Sequence, residues 1–575
     1  MERQEGTRRD LILALSLSAL TLLSRWPYRA RMLYNWDAVQ FALALKEYDV
    51  AKHQPHPPGY ILYVAAGRLL NAFLHDPTLS YVALAMLASA GATLVVYFLA
   101  LALYDRLTAL AAASLLAVSP LFWFYGSVGL TYAGEALFAC LVAYLAYQTL
   151  LGSERYLFLS AVALGLAGGM RQSVLLLLFP LWLGSAALGI RSLRRIGLAL
   201  GLLALVVLSW FLPMIWLTGG LERYLLASNE LYASVVRPTS VFGASPLEGT
   251  LSQLRFVLES TLVGLGPLAL AALALPVYWR AGTWGRAEWF LLAWVVPPVL
   301  VYTFVHFGQA GYVLTFLPAL VILLSRVLLA TLERAALCLA RPQWRWGFVA
   351  ATLTVLVFAT GAFFVSARPL PVDYEVPRQG LVGRVKEDAQ QWLWSRTAAA
   401  LREHEAVLGG YVGTIRALYD PAETVVITEL GNPRSYPWLR HAMFYLPEYP
   451  LYELRVGEAP RGYYAPQSAA TMRLTQGARI ALPSRVRRLV WFVDHWDPAT
   501  RRPRGLVEIA LPYGRWLYAL PIGRGPVTYA GYTFVKEREP RGQGRWSAGA
   551  GSAGRPRAVR DPGGEDRRGR RVPPG

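Results

Sequence analysis

Two linked stretches decide the fold: Tyr34-Asn35-Trp36-Asp37-Ala38-Val39-Gln40-Phe41 and, twelve residues later, His53-Gln54-Pro55-His56-Pro57-Pro58-Gly59-Tyr60. Asp37 comes shortly after the first long apolar run, and a mostly apolar helix-like run follows it over 38–45. The prolines of the second stretch restrict the backbone, and Gly59 allows the chain to turn back. An ionisable residue at a membrane edge, held by rigid backbone, indicates a functional site.

The composition around these stretches is that of a membrane protein. The chain has 575 residues, of which 55% are hydrophobic and 16% charged, whereas soluble domains average about 25% charged residues. The net charge of +20 could suggest a nucleic-acid partner, but the arginines mostly occupy short links between apolar runs, where they set membrane orientation. We therefore expect membrane lipids and no nucleic acid as partners. Cys140 and Cys338 both lie in or beside predicted helices, so no disulfide framework or cysteine metal site is available.

Apolar runs of about 15–25 residues predict a polytopic α-helical membrane protein with about eleven transmembrane helices. The run over 59–74 is short and contains Arg68, which favours an amphipathic helix in the membrane interface; if it spans instead, the count is twelve. The basic N-terminus lacks a small-residue cleavage site, which favours an uncleaved first span. The expected spans are 10–26, 79–103, 108–125, 132–151, 156–170, 172–190, 196–217, 257–279, 287–306, 312–332 and 347–366.

The arginine-rich links predict a cytoplasmic N-terminus, with the long loops 27–78 and 218–256 on the outer face. Residues 1–367 then form the membrane domain, and 368–537 form a small extracytoplasmic α+β region. We expect 538–575 to be a disordered Arg/Gly/Pro-rich tail. The bias to Arg, Ala, Gly and Leu favours a prokaryotic plasma membrane. In the extracytoplasmic region, 390–405 is helix-like, and the strand-like runs are 424–428, 488–493, 506–511, 516–521 and 527–535.

The first loop also has plainer interpretations. Asp37 is a suitable N-cap for the helix that follows it. Gln40, His53 and His56 are candidates for binding a substrate or its carrier. The two histidines could also be solvated loop residues, and two histidines without a fixed third ligand are a weak metal signal. We assign no metal ligands, and dependence on a divalent metal stays open.

Asp37 followed about 20 residues later by His56-Pro57-Pro58-Gly59-Tyr60 resembles the first loop of GT-C membrane glycosyltransferases, in particular their protein O-mannosyltransferase-like branch. The resemblance is close over 10–190, general up to 366 and absent from the C-terminal part. It implies a GT-C-like fold and an inverting hexosyltransferase. Such an enzyme moves a sugar, most commonly mannose, from a polyprenyl-phosphate carrier to a protein, lipid or glycan acceptor on the non-cytoplasmic face.

The resemblance also assigns roles to residues. It implies that Asp37 is the general base or orients the acceptor. Gln40 stands where the family has a second acid, and a Gln can form hydrogen bonds but cannot accept a proton as a base. Glu47 and Asp49 are candidates for the second carboxylate.

Other polar residues fit a reaction in which a lipid phosphate leaves. Arg171 could bind the phosphate through its guanidinium fork, or it could snorkel to the lipid headgroups. His306, Gln309 and Tyr312 are candidates for binding the carrier phosphate or the sugar, although a turn of this kind could be purely structural. Glu135, inside the fourth span, is either a further candidate acid or an ion-pair partner of Arg171.

Further candidates are weaker, and other functions stay open. Arg223 and Arg237 lie in the second outer loop, and 494–497 (Asp-His-Trp-Asp) reads as a strand-end turn. No nucleotide-binding motif is present, which favours a lipid-linked donor. The alternatives are a secondary transporter or lipid-linked-glycan flippase, and a catalytically inactive envelope assembly protein. Transporters tend to contain two related halves, and no internal repeat is visible.

Overall fold

The computed structural model describes residues 2–337, 343–368, 394–432, 438–456, 471–474, 479–496, 500–523 and 525–537. The expected tail, 538–575, lies outside the described residues.

Helices dominate the first 366 residues. They are α1 (Glu2–Arg25), α2 (Trp36–Lys46), α3 (Ile61–Leu74), α4 (Pro77–Leu103), α5 (Arg106–Val118), α6 (Pro120–Tyr125), α7 (Tyr132–Leu150), α8 (Glu154–Met170), α9 (Gln172–Gly189), α10 (Leu193–Leu217), α11 (Leu221–Leu231), α12 (Arg237–Thr239), α13 (Pro246–Leu265), α14 (Leu275–Arg280), α15 (Arg286–Phe304), α16 (Leu317–Ala336) and α17 (Gln343–Ser366).

Within the described residues, eight helical segments are long and apolar enough to cross a membrane. They correspond to eight of the eleven expected spans. The other three expected spans take a different form. The run 108–125 is divided between α5 and the short α6, where Ser119 and Pro120 interrupt the helix. The run 156–170 is the 17-residue α8, and 312–332 is a 3-10 turn followed by α16. The total of eleven spans stays a prediction.

Polar residues in the short links cap the N-termini of the helices that follow. Asp76 accepts hydrogen bonds from the backbone amides of Thr78 and Leu79, and Pro77 occupies the first turn of α4. Asp105 caps α5 in the same way through the amide of Thr108. Caps of this kind satisfy backbone donors that a helix start leaves free, so two residues are enough to link α4 to α5.

The helix α3 confirms the helical part of the expectation for 59–74. Its Tyr63, Val64 and Gly67 are buried, while Leu69 and Phe73 are exposed. With 14 residues it is shorter than the ~20 that a membrane crossing needs. Its location in the membrane interface stays a prediction.

The described residues of the C-terminal region include two α-helices and nine strands. The helices are α18 (Ala398–Leu418) and α19 (Leu439–Tyr445); the strands are β1 (Thr424–Leu430), β2 (Leu451–Arg455), β3 (Thr471–Leu474), β4 (Arg479–Leu482), β5 (Arg488–Trp491), β6 (Val507–Leu511), β7 (Arg515–Pro521), β8 (Val527–Tyr529) and β9 (Tyr532–Lys536).

Six of these strands form a mixed sheet in the order β3-β2-β1-β5-β7-β6, parallel from β3 to β5 and antiparallel at β7 and β6. Another sheet has the order β4-β9-β8. Every residue of β1 is buried, because separate apolar clusters cover the two faces of the larger sheet.

Two expectations for this region need correction. Of the helix expected over 390–405, residues 390–393 lie outside the described residues and Trp394–Arg396 form a 3-10 turn. The α-helix begins at Ala398, after the N-cap Thr397, and continues to Leu418. The single strand expected over 527–535 is a hairpin, because Ala530 and Gly531 adopt positive φ values of 47° and 82° and turn the chain. The other four expected strands are confirmed within a residue or two.

The C-terminal region packs on the segment that leads to Asp37. Tyr445 Oη accepts a 2.8 Å hydrogen bond from the backbone amide of Leu33, and a ring nitrogen of His404 lies 3.3 Å from the Leu33 carbonyl. The guanidinium of Arg440 donates to the carbonyl of Lys52 over 2.9 Å. Residues of α18 and α19 therefore contact the backbone of the first loop on both sides of Asp37 in the sequence.

Candidate active site

A cavity of about 640 Å³ lies between the first loop, the start of α9 and the end of α15. Its polar end is lined by Asp37, His56, Tyr60, Arg171, His306, Gln309 and Tyr312. The rest of its wall is apolar and includes Leu176, Leu177, Pro180, Leu231, Val235, Val236, Pro297, Leu300 and Val301. Arg171 and His306 lie near the ends of α9 and α15, and apolar lining residues follow further along both helices, so the cavity combines a polar end with an apolar wall.

Asp37 lies in the first turn of α2 but is not its N-cap. That position belongs to Asn35, whose Oδ1 accepts a 3.0 Å hydrogen bond from the amide of Ala38. The carboxylate of Asp37 instead accepts a 2.7 Å hydrogen bond from Gln309 Nε2, and its side chain keeps 21% of its surface exposed. The capping interpretation of Asp37 is therefore wrong, and one carboxylate oxygen faces the cavity without a close donor among the described residues.

His56 joins the turn to α2. Its Nδ1 lies 2.6 Å from Gln40 Oε1, and its Nε2 lies 3.1 Å from Tyr60 Oη. Burial lowers the pKa of His56 below its ordinary value, and the nearby Arg171 acts in the same direction, against the opposing effect of Asp37. A neutral imidazole fits both contacts, with Nδ1 donating to Gln40 and Nε2 accepting from Tyr60. His56 Nδ1 is also 3.6 Å from Asp37 Oδ1.

Hydrogen bonds hold the His-Pro-Pro-Gly-Tyr turn in place. Gln172 Nε2 donates to the Pro58 carbonyl over 2.9 Å, and Tyr48 Oη donates to the Gly59 carbonyl over 2.6 Å. Gly59 has a φ of 115°, and a Cβ there would lie 2.6 Å from Met214 Sδ and 2.9 Å from Tyr48 Oη. Only glycine combines this backbone conformation with so close an approach.

Arg171 and Glu135 form a buried ion pair, with Arg171 Nε 3.3 Å from Glu135 Oε2. Arg171 also donates to the hydroxyls of Thr131 and Ser173 over 3.0 and 3.1 Å. Glu135 Oε1 accepts from the Thr315 hydroxyl and, over 3.4 Å, from Tyr302 Oη. The carboxylate is fully buried behind the guanidinium, so Glu135 neutralises Arg171 and does not line the cavity.

Aromatic rings surround the Arg171 guanidinium. Its central carbon lies 4.4 Å from the ring centroid of Tyr312, 4.8 Å from that of Tyr132 and 5.9 Å from that of Tyr60. Such contacts with ring faces stabilise a cation that has lost water. A Cβ on Gly311 would lie 2.4 Å from the Tyr132 ring, so the loop before α16 reaches this position only with glycine.

His306 lies on the same wall as Arg171. Burial and the charge of Arg171 lower the pKa of His306 to about 4, so its imidazole is neutral near pH 7. Its buried Nδ1 has no hydrogen-bond partner in the part of the chain that the structure describes. An open ring nitrogen on a cavity wall can bind a polar ligand group.

Five of the expected site residues are not part of the cavity lining: Gln40, Glu47, Asp49, His53 and Glu135. Glu47 pairs with Lys52 on the surface. Asp49 is buried, pairs with Arg223 over 2.6 Å and accepts from the amide of Ala51. His53 is buried at the end of the short 3-10 turn, with a φ of 54°. Gln40 is buried and reaches the cavity only through His56.

The sequence did not single out several residues of the site. Tyr60, Tyr132, Thr131 and Thr315 contact the charged residues, and Asn35 contacts Gln309. Only Asn35 carries a local signal, since an Asn just before a helix-like run is a favoured N-cap. Among the described residues, no group of three or more His, Cys, Asp or Glu side chains is arranged to hold a metal ion.

Two comparisons with known proteins find similar chains. Residues 41–186 match the model of the protein O-mannosyl-transferase TMEM260 N-terminal domain. A crystal structure of ArnT from Cupriavidus metallidurans bound to undecaprenyl phosphate is similar, with 13% identity, 88% of this chain and 97% of that chain covered, and a TM-score of 0.53. The apo state of the same ArnT gives 15% identity, coverage of 90% and 98%, and a TM-score of 0.51. A search of curated proteins finds no match.

These findings confirm the fold class and the resemblance expected from the first loop. The chain is a multi-pass integral membrane protein with an ArnT-like fold. Residues 41–186, from within α2 through the His-Pro-Pro-Gly-Tyr turn into α9, are similar to the N-terminal domain of a protein O-mannosyltransferase.

Proposed function

We propose that this protein is an inverting membrane glycosyltransferase that moves a sugar from a polyprenyl-phosphate carrier to a hydroxyl group of an acceptor. Asp37 is the general base, and Arg171 binds the carrier phosphate. His56, His306 and Tyr312 complete the polar surface that receives the phosphate and the sugar.

The observation that carries the proposal is the division of the cavity into two ends. A polyprenyl phosphate has a charged head and a long apolar chain, and it needs a site with the same division. The cavity has a carboxylate and a guanidinium at one end and apolar side chains along the rest of its wall. The similarity to ArnT, which has been crystallised with undecaprenyl phosphate, supports the same assignment.

The chemistry requires a base and a stabilised leaving group. Asp37 takes the proton of the acceptor hydroxyl as its oxygen attacks C1 of the sugar from the side opposite the phosphate. The bond between C1 and the phosphate oxygen breaks, and the carrier leaves as a phosphate monoester with one additional negative charge. The guanidinium of Arg171 is placed to stabilise that charge, and burial strengthens the interaction.

One carboxylate at the reacting centre suffices for this scheme. Gln40 does not accept a proton, but its amide oxygen holds His56 in a fixed orientation. Glu135 already neutralises Arg171. The Arg171 site therefore carries little net charge before the carrier binds. Because Glu135 is paired and Gln40 is not a base, Asp37 alone receives the proton.

We further propose mannose as the sugar, following the family description that matches residues 41–186. The acceptor is a protein, lipid or glycan hydroxyl on the non-cytoplasmic face of a prokaryotic plasma membrane. The arginine-rich links place the N-terminus in the cytoplasm and the first loop on the opposite side. Among the residues that the structure describes, no ligand set makes a divalent metal part of the proposal.

The experiment measures transfer of radiolabelled mannose from polyprenyl phosphate in proteoliposomes. Asp37→Asn is nearly isosteric and removes the base, so transfer should fall by about 100-fold or more. Glu47→Gln is the matched control, because it removes a carboxylate of the same loop outside the cavity. Proper insertion of each variant is checked by size-exclusion chromatography in detergent.

Three outcomes would contradict the proposal in different ways. Unchanged transfer by Asp37→Asn would remove Asp37 from the role of base. Transfer of a different sugar would overturn mannose alone. No transfer from any polyprenyl-linked donor by the wild-type protein would favour a transporter, flippase or assembly protein.

A further inference from the structure

The side-chain amide of Gln309 connects Asp37 to Asn35. Gln309 Nε2 donates to Asp37 Oδ2 over 2.7 Å, and Gln309 Oε1 accepts from Asn35 Nδ2 over 3.3 Å. Gln309 comes from the loop after α15, 272 residues away from Asp37 in the sequence. A contact between such distant segments fixes the carboxylate with respect to the opposite wall of the cavity.

Asn35 sets the orientation of this amide. Its Oδ1 accepts from the amide of Ala38 as the N-cap of α2, which leaves only its Nδ2 to face Gln309. An Nδ2 group is a donor, so Gln309 must present its oxygen to Asn35. The Gln309 Nε2 then points at Asp37, and the helix cap determines which end of the Gln309 amide meets the carboxylate.

The contact distinguishes the two oxygens of Asp37. Oδ2 is held by Gln309, whereas Oδ1 faces His56 Nδ1 at 3.6 Å, beyond hydrogen-bond range. Since His56 Nδ1 already has Gln40 as its partner, Oδ1 is the oxygen that stays available to an acceptor hydroxyl.

We propose that Gln309, oriented by Asn35, is a positioning residue that holds Asp37 Oδ2 and leaves Oδ1 as the proton-accepting atom. The inference rests on the proposed function, because it assigns a task to the base of that reaction. It differs from direct binding of the carrier by Gln309, in which Asp37 would play no part.

The loop that holds Asp37 also forms part of the cavity wall. His306 and Gly308 lie in it next to Gln309, so a carrier in the cavity touches the same short segment that orients the base. A displacement of about 1 Å in a reacting group can cost 100-fold in rate. Because Gln309 acts on Asp37 and not on the carrier, we expect the loss of its contact to lower kcat. The KM for the carrier should stay nearly unchanged.

The first test compares Gln309→Leu with Gln253→Leu. Gln253 donates to the carbonyl of Val305 over 3.3 Å, so it anchors the start of the same loop without touching Asp37. Gln309→Leu should lower kcat about 10-fold or more, in line with the loss of a hydrogen bond to a charged group, while Gln253→Leu should change it less than 3-fold. Equal losses in both variants would overturn the inference in favour of general anchoring of the loop.

A double-mutant cycle is the sharper test. If Gln309 acts through Asp37, Gln309→Leu should cost less than 2-fold once Asp37→Asn has removed the base. The same substitution should still cost about 10-fold in the wild-type background. Full additivity of the two losses would overturn the inference and leave the proposed function intact, whereas absence of transfer by the wild-type protein would overturn both.

Asn35 provides an independent variant. Ser is as good an N-cap as Asn, so Asn35→Ser keeps the start of α2 and removes only the donor that orients Gln309. We expect kcat to fall in Asn35→Ser as it does in Gln309→Leu. The variant with both substitutions should have a kcat no lower than that of Gln309→Leu alone. A wild-type rate in Asn35→Ser would overturn the part assigned to Asn35.

Discussion

Asp37 and Glu135 are two carboxylates close to the same cavity, but only Asp37 lines it, and their surroundings differ. Asp37 is partly exposed and held by a neutral amide from a loop. Glu135 is fully buried in α7 and held by a guanidinium and two hydroxyl groups. The side chain of Asp37 is therefore held by a residue from a distant loop, whereas that of Glu135 is held within the packed membrane helices.

The different surroundings suit Asp37 to a chemical role and Glu135 to a structural one. A carboxylate without a cationic partner at hydrogen-bond distance can accept a proton from a substrate, whereas a carboxylate paired with Arg171 is committed to that charge. The mutations below test two expectations. Substitutions in the helix-held pair, Arg171 with Glu135, should mainly lower stability. Substitutions on the loop-held side, which is Asp37 and the first loop, should mainly lower the rate of transfer.

The largest effect should come from breaking the helix-held pair. Arg171→Met leaves Glu135 as an unpaired buried charge, and we expect it to lower the free energy of unfolding by about 3–5 kcal/mol. The measurement is thermal unfolding in detergent, followed by intrinsic tryptophan fluorescence.

The double variant Arg171→Met/Glu135→Gln is the control for that change. Removal of both charges should restore most of the stability, but transfer should stay low because the phosphate has lost its guanidinium. Restored stability together with wild-type transfer would mean that Arg171 has only a structural role.

On the loop-held side, Gly59→Ala should have the next largest effect. The added Cβ meets Met214 Sδ and Tyr48 Oη at a φ of 115°, and the strain should cost about 1–3 kcal/mol. Transfer should fall more than stability, because the turn carries His56. Gly282→Ala is a comparison at another positive φ (68°), with open space around its Cβ position. Similar losses of transfer in both variants would argue against a specific part for the turn.

Acidification should loosen the C-terminal contact with the first loop. Burial lowers the pKa of His404 to about 4, whereas an unfolded His titrates near 6.5. Between these values the unfolded state binds more protons, so the unfolding free energy should fall as the pH falls from 6.5 to 4. The limiting slope for this one group is about 1.4 kcal/mol per pH unit.

The check is the pH dependence of unfolding in His404→Gln, whose slope over this window should be shallower than that of the wild type. The exposed His75 provides the control variant His75→Asn, which should keep the wild-type slope. An unchanged slope in His404→Gln would place the acid sensitivity elsewhere.

The smallest effect should come from the exposed pair of Glu47 and Lys52. Surface ion pairs contribute at most about 1 kcal/mol, so Lys52→Gln should change stability by less than that and leave the transfer rate within 2-fold. A large loss of transfer in Lys52→Gln would restore the first-loop surface as a candidate part of the site.

Much of the membrane fold was predictable, because it depends on local patterns. Apolar length marks a membrane helix, and the position of Asp37 before the His-Pro-Pro-Gly-Tyr turn drew attention to the first loop. The ion pair of Arg171 with Glu135, one of the two possibilities for Glu135, is present in the structure.

The remaining features depend on distant contacts. Asp37 looked like an N-cap because its sequence position suits one, but Asn35 takes that place, and local sequence does not reveal which of two neighbouring polar residues caps a helix. The contact of Gln309 with Asp37 joins the first loop to the loop after α15 and depends on tertiary packing. The hairpin over 527–536 was missed because a non-glycine residue, Ala530, adopts a positive φ at the turn.

The apolar part of the cavity is open at its side. Leu176, Leu300 and Val301 line it and keep 72%, 50% and 39% of their surfaces exposed. For the proposed reaction, this lateral opening means that the donor arrives by diffusion within the membrane plane. The rate should then saturate with the mole fraction of carrier in the bilayer, and dilution with other lipids should slow the enzyme even when the total amount of donor per volume is constant.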